Sequence, residues 1–149
     1  MTWAARMSKL VGMGSLSEAS QDLVDLVFFG LDRGIDTVRD GRQLLPFVVT
    51  EDGDGERGFA RYIEETLEGS LSLARTGVHG SGAKRAVLVY DGFSTQKGER
   101  NQTVLLEAYE IGAPDAIVVG QRYKPKATPS ERFEVIGNPA ELGTSEPLF

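Results

Sequence analysis

Between Asp22 and Leu31 the chain carries Leu23, Val24, Leu26, Val27, Phe28 and Phe29, and only Asp22 and Asp25 interrupt this apolar run. Leu16, Ala19, Leu23, Val27 and Leu31 recur near helical spacing, so a helix is predicted over residues 16–33, with Leu26 and Phe29 widening its apolar stripe. A helix apolar on more than one face needs more cover than one sheet supplies. Either a second element of the chain packs on it or a second subunit does, and Val24, Phe28 and Phe29 are the candidate residues of a homodimer interface. Ser15 with Glu18 three residues on fits a capping box at the start of this helix, and Gly34 fits its stop.

The segments after it read mostly as strands. Residues 44–50 (LLPFVVT) are a strand in which Pro46 removes a ladder donor and so favours an edge or the strand's start. Residues 56–62 (ERGFARY) alternate as the return strand of a hairpin, with Gly53 or Gly55 supplying the positive φ of the turn. A second helix is expected from Glu64 or Thr66 to Arg75, with Thr66 as a serviceable N-cap, followed by a glycine-rich connection over residues 76–82. Residues 85–90 (RAVLVY) are apolar on both faces and predict a central strand. Residues 101–111 fit two readings. As a strand they complete a hairpin about Lys97-Gly98 and lead into a further strand at 116–123; as a helix they make a βαβ crossover spanning 86–120. Thr103, Val104, Tyr109 and the symmetric placement of Lys97-Gly98 favour the strand.

The fold class expected is therefore α+β, two helices packed on a mainly antiparallel sheet of about five strands in the order α-β-β-α-β-β-β, with the α/β crossover fold as the alternative. A single globular domain covers residues 1–124; residues 125–149, rich in proline and glycine, form a tail with residues 132–136 as a candidate late edge strand. This element order resembles that of the roadblock and longin families of small α/β sandwiches. The resemblance implies an adaptor that pairs through its sheet and helices. It rests on element order alone and assigns no site residue.

Composition restricts the chemistry. The 149 residues include no cysteine and one histidine, His79, which removes thiol nucleophiles, disulfides, cysteine zinc sites and multi-histidine metal centres. No metal and no cofactor are expected. Residues 1–14 contain too short an apolar core for a signal peptide, and no run approaches a membrane span, so a soluble cytoplasmic protein is expected. Sixteen Lys+Arg against 22 Asp+Glu give a net charge of −6, which weighs against nucleic acid despite a basic run, Arg122-Tyr123-Lys124-Pro125-Lys126. The acidity is local: residues 51–68 hold seven acids and two arginines, Arg57 and Arg61, and so contribute 2 − 7 = −5.

Few motifs suggest a reaction. The loop Asp52–Glu56 has alternating carboxylates, but the sixth position from Asp52 is Arg57 and the twelfth Ile63, so the calcium-loop pattern fails and an acidic turn is expected. Gly77 to Lys84 has the glycines of a phosphate loop in the wrong order, after a helix and before a strand, and His79 within it has no orienting partner in the sequence. The candidate ligand- or partner-binding residues are Asp91, Arg100, Glu107 and Arg122, the polar residues nearest the central strands. The function expected is a non-catalytic protein–protein interaction or adaptor module, homodimeric and contacting a further protein. The alternative is a small enzyme or ligand-binding protein built on Asp91 and Arg100.

Overall fold

A computed structural model describes residues 15–149. A 3-10 turn at Ser15–Glu18 leads into helix α1, Gln21–Arg39. Strands β1 (Phe47–Glu51) and β2 (Arg57–Arg61) form a hairpin, helix α2 spans Leu67–Gly80, and β3 (Arg85–Gln96), β4 (Glu99–Glu110), β5 (Ala116–Lys124) and β6 (Glu134–Ser145) follow. The sheet is six-stranded and antiparallel throughout, in the order β2-β1-β3-β4-β5-β6. The expected α+β architecture is present with one strand more than the five predicted. Residues 101–110 are strand, and no crossover spans 86–120: β3 and β4 pair over twelve positions about a two-residue turn. Lys97 and Gly98 take φ of 53° and 78°, the left-handed pair that a type I′ hairpin requires.

The helices lie on opposite faces. Helix α1 covers a core of Val49, Val87, Val89, Val104, Leu106 and Val119, with its own Leu23, Leu26, Val27, Phe28 and Leu31 buried against them. Helix α2 covers a smaller core of Val48, Ala86, Leu88 and Tyr109 with Leu71, Ala74 and Val78. It carries the chain across the sheet from the edge strand β2 to β3, on the other side of β1.

The ends of α1 differ from the sequence expectation. Its N-cap is Ser20 rather than Ser15: the Ser20 hydroxyl accepts from Leu23 N–H at 3.1 Å, and Leu16 has gone into the 3-10 turn. The helix continues through Gly34 to Arg39 and stops at Gly41, φ 74°, where Arg42 N–H bonds Thr37 O and Gly41 N–H bonds Val38 O in a Schellman arrangement. Gly34 is a packing residue instead. A Cβ there would stand 2.7 Å from Val104 Cγ1, and one at Gly30, a turn earlier, 3.0 Å from Leu106 Cδ1. The two glycines let α1 sit close on the sheet.

That close seat changes the expectation for the homodimer. Val24 is 6% exposed and Phe28 is fully buried, both inside the chain's own core, so neither is available to a second copy; only Phe29 keeps an exposed edge. The apolar breadth of α1 is satisfied by the inner strands and the 3-10 turn. The segment expected to be a tail likewise belongs to the sheet, since β6 pairs with β5 at eight positions and Leu148 and Phe149 pack on the α2-side core. The glycine-rich connection begins later than expected: α2 extends through Thr76 to Gly80, and His79 lies in its last turn.

Candidate functional site

The four polar residues expected near the central strands do not meet. Strand alternation places Asp91 and Arg100 on the α1 face and Glu107 and Arg122 on the α2 face. Asp91 accepts a hydrogen bond from Tyr123 OH at 2.7 Å, while Arg100 lies opposite Thr95, four residues or about 13 Å along β3, with its guanidinium 4.3 Å from the Phe93 ring. Burial pushes the Asp91 carboxyl above its ordinary value against the pull of that hydrogen bond, and pushes the Tyr123 hydroxyl up as well. Arg122 is opposite Thr103 and Glu107 opposite Val118, so this pair too is four residues apart.

Glu107 is claimed by α2. Its carboxylate, 5% exposed, receives a bidentate fork from Arg75, Nε at 3.0 Å and Nη2 at 2.5 Å, together with the hydroxyls of Tyr90 and Tyr109. Burial alone would raise its pKa; the Arg75 fork and the two hydroxyls outweigh it and hold the carboxyl below the usual range. On the other face of the sheet a second charged row ties down the start of α1. Arg57, Glu51, Arg85 and Glu110 occupy one rank across four strands; Arg85 Nη1 donates to Glu51 at 2.7 Å and Nε to Glu110 at 3.1 Å, and Ser20 Oγ donates to the same Glu110. Both groups have their hydrogen bonds inside the chain, which makes them fasteners between helix and sheet.

Other sequence motifs resolve as architecture. Asp52 Oδ1 accepts from the N–H groups of Asp54 and Glu56, at 2.8 and 2.9 Å, as the acidic turn that was expected. His79 Nδ1 donates to Leu148 O at 2.6 Å, tying the C-terminal residues to α2. In the basic run, Tyr123 is buried and its hydroxyl engaged by Asp91, so it offers no ring to a nucleic-acid base.

What remains exposed and chemically distinctive is the sheet edge. All five residues of β2 are exposed. Tyr62 N–H bonds Pro46 O and Asp52 N–H bonds Glu56 O, so in this register Gly58 and Ala60 turn their backbone groups toward β1, while those of Arg57, Phe59 and Arg61 face outward. The side chains of the same three residues share the α1 face, because their partners are Glu51, Val49 and Phe47. There they interleave with two residues of α1. Arg57 lies 4.6 Å from the Phe29 ring, Arg33 stands 5.6 Å from Phe29 and 5.4 Å from Phe59, and Arg61 is 5.1 Å from Phe59, giving a ladder Arg57–Phe29–Arg33–Phe59–Arg61. Phe59 is 45% exposed and stacks on the buried Phe47 at 5.2 Å, which fixes the middle of the ladder to the core. Beside it runs a groove of about 270 Å³ lined by Arg33, Arg42, Leu44, Phe59 and Arg61.

The charge of this corner is unbalanced. Arg57 is ion-paired with Glu51 at 3.0 Å; among the described residues no carboxylate pairs with Arg33 or Arg61. Asp36, which also borders the groove, is paired with Arg39 at 2.9 Å. Guanidinium groups stacked on rings keep their planar donors directed outward, suited to carboxylates or other oxyanions. Sequence reasoning missed this site, although a signal existed: Arg57-x-Phe59-x-Arg61 in a predicted strand must put two cations and an aromatic on one face. No protein-family model matches the chain, and no curated protein and no solved structure matches it either.

Proposed function

We propose that the protein is a cytoplasmic, non-catalytic protein–protein interaction module whose contact surface is the β2 edge and the arginine–phenylalanine ladder beside it. The observation that carries this reading is the ladder itself, with Arg33 and Arg61 lacking carboxylate partners among the described residues around an exposed Phe59. Interfaces are enriched in arginine and aromatic anchors of this kind. The enzyme alternative needs Asp91 and Arg100 in one place, and their separation by four residues on the strand leaves it without a constellation. Self-association loses Val24 and Phe28 to the core, so the partner in this reading is a different protein. Among the described residues no helix is long and apolar enough to cross a membrane.

Site-specific photo-crosslinking in cells that naturally express the protein tests the proposal. A benzoylphenylalanine at Phe59 is expected to give a discrete protein adduct, whereas the same group at Lys97, on the remote β3–β4 turn, gives none. No adduct from Phe59, or the same products from both positions, would overturn the reading.

A further inference from the structure

The chemistry of the β2 edge specifies its partner more narrowly than an interaction surface does. We infer that β2 accepts an extended acidic segment of another protein as a seventh strand, with two carboxylates four residues apart reading Arg57 and Arg61 and a small apolar residue between them meeting Phe59. This inference rests on the proposed interaction function and deepens it.

Three observations carry it. The first is the backbone: among the described residues β2 has one neighbour, and the outward N–H and C=O groups of Arg57, Phe59 and Arg61 are the donors and acceptors a strand-adding peptide uses. The second is the contrast with the other edge. Strand β6 carries Pro139, left-handed Gly137 and Gly143 and two register shifts, devices that block further pairing. Strand β2 has no proline, no bulge and regular pairing at every position. Arginine on an edge can itself deter pairing, and here Arg57 and Arg61 flank Phe59, which is exposed and stacked on the buried Phe47. The third is charge. Positions 57 and 61 lie about 13 Å apart along the strand, and Arg33 fills the gap between them from α1, so the whole length of an added strand faces cations.

The same geometry argues against the two other occupants. A second copy pairing β2 to β2 about a two-fold axis at Phe59 would set Arg57 opposite Arg61 of its mate, like charge against like charge at both ends. A nucleic acid would satisfy the guanidinium groups but leave the outward amides of β2 unused.

The probe is a fluorescein-labelled nine-residue peptide of threonines with one central valine and aspartates two residues to either side. Fluorescence anisotropy is expected to show saturable binding to the full chain. Replacing both aspartates by asparagine, or making the double variant Arg33→Gln plus Arg61→Gln, should weaken it at least about tenfold. N-methylation of the peptide amides that would bond Phe59 should abolish binding with the charges untouched, and amide resonances of Arg57, Phe59 and Arg61 should shift on titration. Absence of binding or equal binding of the N-methylated peptide would overturn strand addition, and equal binding by the double variant would overturn the reading of the aspartates by these arginines. A Phe59 crosslink in cells combined with a silent peptide would retire the acidic-strand inference and leave the interaction module standing; a bound peptide with no crosslink would do the reverse. The N-methylated peptide keeps the inference falsifiable if the double variant is poorly folded, because it leaves the protein unchanged.

Discussion

Glu107 shows how far a single carboxylate can decide between structure and function. It is buried, and every hydrogen bond it needs comes from within the chain: the Arg75 fork and the hydroxyls of Tyr90 and Tyr109. Removing one member of such a cluster leaves the others unpaired, so Glu107→Gln is expected to cost about 2–3 kcal/mol in urea denaturation at pH 7. The pH dependence supplies a second test. Its folded pKa is depressed, so its contribution is complete above the unfolded value of roughly 4.3 and is lost as pH falls through the lower folded value. The wild-type acid limb should thus be steeper than that of Glu107→Gln. Asp91 has the opposite sign. Burial raises its folded pKa, so its ionised form weakens the fold above that value and the penalty fades as pH falls through it. Asp91→Asn keeps an acceptor for Tyr123 and should be at least as stable as wild type at pH 7, with the difference shrinking under acid. An Asp91 that instead proves essential to stability would mean that its charge has a partner other than Tyr123.

At the scale of the elements, the strands were legible and the helix ends were not. The alternation of Arg57-Gly-Phe-Ala-Arg61, the Lys97-Gly98 turn and the β-branched residues near Thr103 all encode local choices that the sheet then keeps. Gly34 has the local meaning of a helix stop because it follows Arg33; its actual reason is tertiary, the nearness of Val104 and Val89, which no local pattern contains. The positions of the ladder residues are likewise split between α1 and β2, 24 or more residues apart, so Arg33 carries no sign of its role until the helix is laid on the sheet. Gly34→Ala measures this directly. Helix propensity alone would stabilise the variant by about 1 kcal/mol. Pressing a methyl to 2.7 Å from Val104 costs more, and a net loss of about 1–2 kcal/mol is expected by thermal or urea unfolding. If Gly34→Ala is stabilising, α1 does not depend on close contact at that turn.

For the whole molecule, the question is how a sheet whose two edges are unpaired among the described residues stays apart from its copies. The apolar run of α1 suggests a dimer, but that helix turns its apolar residues inward and leaves charge outside. Strand β6 is guarded by its bulges and Pro139, and β2 by the opposition of Arg57 and Arg61 in a two-fold pair centred on Phe59. Sedimentation velocity should therefore find a monomer at high micromolar concentration. The charge that keeps β2 from itself can be reversed at a single position. In Arg61→Glu, a two-fold pair centred on Phe59 would set Arg57 opposite the introduced carboxylate of the mate twice over, turning repulsion into attraction at both ends without touching the backbone edge. This one change should produce a concentration-dependent dimer, weakened by salt because the pairs are at the surface. A variant that stays monomeric at low salt would show that something other than these two arginines closes the edge, and would remove the premise of an open backbone on which strand addition depends.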